Sequence, residues 1–353
     1  MKGPHNSVLV AMSGGVDSSV AAGLLRDAGH EVTGVFMCLG SARAGETRGC
    51  CSPTDAADAR RVAEGLGIDL YVLDLADAFE PIIEDFVAEY ARGRTPNPCI
   101  HCNRRIKFGR LIERADSLGI PYVATGHHAR VGDTPDGPAI FRGRAGEKDQ
   151  SYALFEVPRE RLRRVRLPIG EIDDKEQVRR AARSLGLTVH DKPDSQEICF
   201  VPDDDYVALL RRRCPEALRP GEIVNSAGEV LGMHSGYAQF TIGQRRGLGV
   251  AMGVPMYVTA IDPATARVTI GPREQTLSRR LRAAKATWHA DVPVEFDATV
   301  QVRYNHRGQR GRVRLTGEGA FEVQFAEDVH AVTPGQAAVC YDGDRLLGGG
   351  WIE

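Results

Sequence analysis

The sequence predicts an α/β N-terminal domain built on a parallel sheet, followed by two small mostly-β domains, the last a β-barrel. Three observations predict it. Up to about residue 200 apolar strand runs alternate with amphipathic helical runs, the signature of a parallel sheet covered on both faces. Beyond that point helical periodicity gives way to short alternating strands between glycine turns, the spacing of small barrels. A glycine-rich turn, Ser13-Gly14-Gly15-Val16-Asp17-Ser18-Ser19, directly follows the first apolar run. In open α/β sheets ligands bind there, at the carboxyl ends of strands.

Val8-Leu9-Val10-Ala11-Met12 reads as a buried strand, and Val20, Ala21, Leu24 and Leu25 recur at helical spacing until Gly29. Val32–Leu39 is a second strand. A helix over Ala56–Leu66 stops at Gly67, a residue suited to a helix C-terminus. Strand Leu70–Leu75, helix Phe79–Tyr90, a helix from about Arg105 to Ser117 and strand Tyr122–Thr125 complete the alternation. The β half begins with Ile223-Val224, Met256–Ala260 and Val268–Ile270. It continues with Ala298–Tyr304, Gly311–Leu315, Phe321–Phe325 and Ala337–Tyr341. A weak boundary near Leu277–Ala284 divides this half, which predicts domains over 1–200, 201–277 and 278–353.

Hydrophobic residues at 42% and charged residues at 26% are globular proportions, so most of the chain is expected to fold. A net charge of -2 supplies no general attraction to nucleic acid or anionic lipid, so any RNA must be held by local basic patches. The apolar run Val8–Met12 is too short for a signal peptide core, and no run approaches the roughly 20 residues that span a bilayer. A cytoplasmic protein without membrane attachment is expected. Its 8 cysteines then stay reduced and serve chemistry, metal binding or packing rather than a disulfide framework.

The turn at Ser13–Ser19 has the parts of an anion site. Backbone N–H groups and the positive end of the following helix face one point, two glycines permit close approach, and Ser13, Ser18 and Ser19 add hydroxyls. Asp17 fits beside phosphates only with a magnesium ion or an orienting hydrogen bond. The loop has no lysine, so it is not the Gly-Lys-Ser/Thr P-loop. It resembles the PP-loop of ATP pyrophosphatases, enzymes that split ATP between the α- and β-phosphates and adenylate a substrate. That resemblance implies an adenine nucleotide α-hydrolase-like domain using ATP and Mg2+, but it does not choose the substrate.

The cysteines choose it. Cys99 and Cys102 form a C-x-x-C within Thr95-Pro96-Asn97-Pro98-Cys99-Ile100-His101-Cys102-Asn103, where two prolines stiffen the loop and a helix starts soon after. A helix N-terminus favours thiolate, the reactive form of cysteine. Cys199 lies in Asp194-Ser195-Gln196-Glu197-Ile198-Cys199-Phe200. These strings, with Gly49-Cys50-Cys51-Ser52, Ala124-Thr125-Gly126-His127, Lys148-Asp149-Gln150-Ser151-Tyr152, Thr241–Gly249 and Pro334-Gly335-Gln336, resemble the bacterial tRNA-specific 2-thiouridylase family over nearly the whole chain.

The resemblance implies a transferase that adenylates the C2 oxygen of the wobble uridine (U34) of tRNA and replaces it with sulfur, giving 2-thiouridine, AMP and pyrophosphate. Cys199 would carry the sulfur as a persulfide and Cys102 would help free it, by a disulfide with Cys199 or by direct attack. Ala11, Met12, Ser13, Gly14, Gly15, Val16, Asp17 and Ser18 would line the triphosphate, and Met37 and Gly126 would flank the adenine. Asn97, Pro98 and Cys99 would face the target base. His127, Lys148, Asp149, Gln150, Arg303, Tyr304 and Gln336 would contact tRNA. The implied partners are tRNAs of the Glu, Gln and Lys type and a sulfur-donor protein, either a cysteine desulfurase or a relay protein, with the enzyme a monomer.

Some relatives have a carboxylate where this chain has Cys99. A second reading therefore has Cys99, Cys102 and Cys199 holding a [4Fe-4S] cluster by thiolate ligation. Zinc, with His101 as a fourth ligand, is a further alternative. Another PP-loop synthetase acting on a small molecule is the competing function, and it would need neither Cys102, Cys199 nor the β half. Cys50 and Cys51 read as structural. Cys38, Cys214 and Cys340 read as packing residues. The arginines at 159, 161, 163, 164 and 166, and the alternating Arg310, Arg312 and Arg314, suit either phosphate contacts or a solvated face.

Overall fold

The computed structural model describes residues 6–40, 53–194, 198–201, 205–317 and 319–353. Cys50, Cys51 and the Ser195-Gln196-Glu197 stretch lie outside the described residues.

The first half follows the predicted alternation: β1 (Ser7–Ala11), α1 (Val16–Asp27), β2 (Glu31–Cys38), α2 (Pro53–Leu66), β3 (Asp69–Asp74) and α3 (Ala76–Ala91). Then come α4 (Pro98–Cys102), α5 (Leu111–Ser117) and β4 (Tyr122–Ala124), a hairpin of β5 (Ala129–Thr134) and β6 (Gly137–Arg142), β7 (Val165–Arg166) and α6 (Lys175–Ser184). Five strands form a parallel sheet in the order β3-β2-β1-β4-β7. The chain runs outward one way from β1 to β3 and the other way from β4 to β7, so β1 and β4 bracket a switch point where open sheets bind ligands.

Alternate residues of β1 enter two cores, as a two-residue period requires. Val8, Val10 and Met12 pack with Val20, Ala21 and Leu25 of α1, Ala59 and Val62 of α2, and Val178 and Ala182 of α6. Leu9 and Ala11 face the other way, onto Leu111 and Ile112 of α5, in a core that also contains Val339, Tyr341 and Trp351 from the far end of the chain.

The β half comprises α7 (Tyr206–Arg213), β8 (Gly221–Val224), β9 (Val230–His234), β10 (Tyr257–Asp262) and β11 (Arg267–Gly271), then β12 (Leu277–Trp288), β13 (Glu295–Gln301), β14 (Gln309–Gly317), β15 (Ala320–His330), β16 (Ala337–Asp342) and β17 (Arg345–Ile352). Strands β10-β11-β8-β9 form one small sheet. Strands β12-β15-β14-β13-β16-β17 form a barrel closed by pairing of β12 with β17, which leaves no free edge within the ring.

Three differences from the sequence reading have clear causes. The hairpin β5–β6, not anticipated, leaves the parallel sheet and joins the barrel sheet beside β17, where Arg345 pairs with Phe141. The strand expected over Ala298–Tyr304 starts at Glu295 and ends at Gln301. There the Gln301 side-chain amide donates to the carbonyls of Arg303 (3.2 Å) and Tyr304 (2.8 Å) and turns the chain out. The helix expected from about Arg105 begins at Pro98, because proline suits a first helical position. Cys99 and Cys102 therefore sit on a helix and not on a loop before one. Residues Asn103–Arg110 then widen into a π-helix that breaks at Phe108 (φ -117°, ψ 15°), a rare form often found at functional sites.

Candidate active site

The turn after β1 is braced from within. Ser18 Oγ accepts from the Ser13 backbone N–H (3.1 Å) and donates to the Gly15 carbonyl (3.2 Å), and Ser19 Oγ donates to the same carbonyl (2.7 Å). Gly14 has a φ of 72°, and a Cβ there would collide with the Asp55 carbonyl at the start of α2. Gly126, just past β4, is equally confined: a Cβ would lie 2.5 Å from the Ser18 backbone nitrogen. The ends of β1 and β4 thus meet in one close-packed floor at the N-terminus of α1. These glycines and N–H groups fit a triphosphate.

The loop contains no lysine, but two lysines from the distant segment after β7 reach it. Lys175, first residue of α6, donates to both carboxylate oxygens of Asp17 (2.7 and 2.8 Å) and pairs with Asp194 (2.7 Å). His128 Nε2 stands 3.3 Å from Asp17. Burial pushes the Asp17 carboxyl up, but hydrogen bonds and charge from His128 and Lys175 outweigh it and hold the group below the usual range. The orienting bond required of Asp17 is therefore present. Lys192 donates to the Gly14 carbonyl (3.0 Å), Asp55 (2.6 Å) and Asp58 (2.6 Å), tying the turn to α2. No sequence signal marked Lys175 or Lys192, since nothing local connects them to a loop more than 150 residues earlier.

The three cysteines converge. Cys102 and Cys199 share an apolar cluster with Met37, Leu39, Leu73, Phe79, Ile82 and Ile106. Cys102 is 6% exposed, and burial pushes its thiol up to about 12, with Cys199 and Cys99 adding to the shift and Lys107 opposing it. Solvent reaches Cys99, yet partial desolvation and the neighbouring Cys199 push its thiol up as well, again against Lys107. Lys107, one π-turn beyond Cys102, is half-buried and has no carboxylate partner among the described residues, unlike Lys148, Lys175 and Lys192. It was not singled out from the sequence. Among the described residues no three of His, Cys, Asp and Glu are grouped to hold a metal.

The residues expected at tRNA fall into two groups. Tyr304, 41% exposed, comes beside the thiol site: burial, then the charges of Asp149 and Cys99, raise its phenol, and Gln150 hydrogen-bonds it. Asn97 and Pro98 open α4 at the same place. The others are engaged within the fold. Asp149 accepts from Arg142 (2.7 Å), the Gly143 N–H (3.0 Å) and the Ser151 N–H (3.0 Å) and hydroxyl (2.9 Å). Gln150 accepts from the His128 N–H (2.9 Å), and Lys148 pairs with Asp194 (3.0 Å). Arg303 donates to the His330 carbonyl (2.8 Å), and Gln336 donates to the carbonyls of Thr95 (2.9 Å) and Pro96 (3.4 Å).

His127 is buried beside Phe108, 2.5 Å from the Thr125 hydroxyl, and burial, then Lys107 and His128, keep its imidazole neutral. Of the arginine run, Arg161 donates to the Phe108 carbonyl (2.6 Å), Arg164 to those of Pro121 and Ile120, and Arg166 lies 3.8 Å over the Tyr122 ring. These three serve the fold. Arg312 and Arg314 make cross-strand pairs with Asp297 and Glu322.

The chain is similar to known proteins over its full length. Residues 6–203 match the family described as tRNA methyl transferase HUP domain, 208–272 the tRNA methyl transferase PRC-barrel domain, and 278–352 the aminomethyltransferase beta-barrel domain. The curated protein "tRNA-specific 2-thiouridylase MnmA" of Carboxydothermus hydrogenoformans is 50% identical over 99% of this chain and 98% of its own length. Proteins of the same name are 46% identical in Rhodopirellula baltica, over 98% of this chain and 96% of theirs, and 46% identical in Geobacter metallireducens, with the same coverage.

Proposed function

The chain belongs to the tRNA-specific 2-thiouridylase family, and from that premise we propose how its site performs ATP-dependent 2-thiolation of tRNA. The enzyme is a tRNA-uridine 2-sulfurtransferase that uses ATP. The turn at Ser13–Ser18, with Met37 and Gly126 at neighbouring strand ends, binds ATP. Lys175 and His128 hold Asp17 in place, and Asp17 is the group on this turn that would face Mg2+. Adenylation of the uracil C2 oxygen converts a poor leaving group into AMP and releases pyrophosphate.

Sulfur then arrives as a persulfide on Cys199, loaded by a desulfurase or relay protein. Its terminal sulfur attacks C2 and AMP departs. Cys102 next attacks the Cys199 sulfur, its thiol proton passing to the departing 2-thiouracil ring. The sulfur–sulfur bond breaks, its electron pair stays on the sulfur attached to C2, and 2-thiouridine leaves. A Cys102–Cys199 disulfide remains, which an external thiol reduces. The wobble base must leave its stack to reach this point, and Asn97, Pro98, Cys99 and Tyr304 border the entrance.

The observation that carries this reading is the meeting of Cys102 and Cys199, 97 positions apart in the chain, in one apolar cluster with Met37. An apolar enclosure protects a reactive sulfur from water. The test is mass analysis of uridine 34 after reaction with ATP, tRNA and a sulfur donor. Wild type should form 2-thiouridine. Cys199→Ala should form none while still releasing pyrophosphate when tRNA is present. Thiolation by Cys199→Ala at the wild-type rate would sink the persulfide assignment, and pyrophosphate release indifferent to tRNA would favour a small-molecule synthetase.

A further inference from the structure

Helix α4 has five residues and no side-chain cap at Asn97. It runs straight on into the π-helix Asn103–Arg110, so contacts made along this helical run fix where its thiols stand. Some of them come from α3, whose Phe79 and Ile82 share a cluster with Cys102, and some from the C-terminal barrel. Ahead of the helix, the Thr95 N–H donates to the Pro334 carbonyl (2.9 Å) and Gln336 donates to the Thr95 carbonyl (2.9 Å). Within it, His101, the neighbour of Cys102, meets Glu156 through Nδ1 (2.9 Å to Oε2) and lies against Trp351, with ring centroids 4.6 Å apart. Trp351 Nε1–H donates to the other carboxylate oxygen of Glu156 (2.8 Å). Glu156 is 4% exposed, and a carboxylate so placed is tolerated only with both oxygens engaged. Arg104 also stands 3.7 Å from the oxygen that Trp351 holds, so losing Trp351 weakens the hold on that oxygen and losing His101 leaves the other without its partner. None of these residues touches the turn at Ser13–Ser19, which is held separately by Lys175 and Lys192.

We propose that Glu156 is a positioning residue for sulfur transfer: shared between His101 of the thiol helix and Trp351 of the last barrel strand, its carboxylate sets Cys102 in line with Cys199 and makes the barrel part of the sulfur-transfer site. The inference rests on the thiolation reading for its chemistry. Because the adenylating half is braced independently, the bridge acts on the second step and not on the first.

The test compares full-length wild type, Glu156→Gln, Trp351→Phe and the double variant. Phenylalanine keeps a ring against His101 and removes only the N–H donor. Each protein is given ATP, a tRNA with a wobble uridine and a persulfide-loaded donor in single turnover, and pyrophosphate release and 2-thiouridine formation are timed separately. Thiouridine formation should fall roughly ten- to a hundred-fold, the usual cost of small misplacements of reacting groups. Pyrophosphate release and the tRNA Kd should stay at wild-type values. The double variant should be no slower than the worse single one, since both substitutions break one bridge. A parallel measurement, the rate of Cys102–Cys199 disulfide formation with diamide and no tRNA, should slow in the same variants. It decides on Glu156 even if wild type makes no 2-thiouridine. Equal loss of both chemical steps, additive losses, or unchanged disulfide and thiolation rates would each overturn the proposal.

Discussion

At the scale of single residues, the site is organised by charges that come from far along the chain. Asp17 is the clearest case. Its carboxyl is held below the ordinary aspartate range, so it contributes stability that is fully present above about pH 4 and is lost as pH falls through the depressed value. Lys175→Met removes three contacts of 2.7–2.8 Å to Asp17 and Asp194. The variant should be less stable at pH 7 by about 1–3 kcal/mol, the range for hydrogen bonds to charged groups. In urea titrations across pH, the gap from wild type should close below pH 4 as the carboxylates protonate. A gap that persists unchanged at pH 3 would show that Lys175 acts through packing and not through Asp17. Cys99, Cys102 and Cys199 were legible in the sequence because their strings are uncommon. Lys107, Lys175 and Lys192 were not, because an isolated lysine carries no local signal and its partner is chosen by folding.

At the scale of elements, two junctions position the chemistry. The first is the floor made by the end of β4 and the N-terminus of α1. Gly126→Ala would put a Cβ 2.5 Å from the Ser18 nitrogen and 2.7 Å from the Asp17 carbonyl carbon. Neither atom can retreat without moving the turn. The variant should lose about 1–3 kcal/mol by overpacking and should lose about ten-fold or more in tRNA-dependent pyrophosphate release. Wild-type release by Gly126→Ala would mean the floor is not what presents the phosphates. The second junction is α4 with the π-helix after it. The prolines before Cys99 were readable, and so was a helix nearby. The start at Pro98 was misjudged because a proline reads equally as a loop stiffener and as a first helical residue. The π-turn, whose Phe108 carbonyl accepts from Arg161 53 residues further on, was not visible in the sequence.

At the scale of the whole molecule, the first and last parts of the chain share one core. Leu9 and Ala11 of β1 and Leu111 of α5 are in the same apolar cluster as Val339, Tyr341 and Trp351 of the barrel. Domains joined by a large apolar interface lose the independence that small polar interfaces allow. The parallel-sheet domain and the barrel should therefore unfold in one calorimetric transition, and two well-separated transitions for them would contradict this. The alternation of strands and helices from β1 to β4, the glycine-rich turn at Ser13–Ser19 and the strings around Cys99, Cys102 and Cys199 were legible in the sequence alone. Hydrophobic period, glycine placement and uncommon strings are local properties, and local properties survive in one dimension. Only the tertiary structure decided that β5–β6 joins the barrel, that Lys175 and Lys192 supply cations to a turn that has none, and that Trp351 reaches the thiol helix through Glu156. Each of these is a pairing across a long loop. Many closures of similar entropy compete for such a pairing, and only the assembled core selects among them.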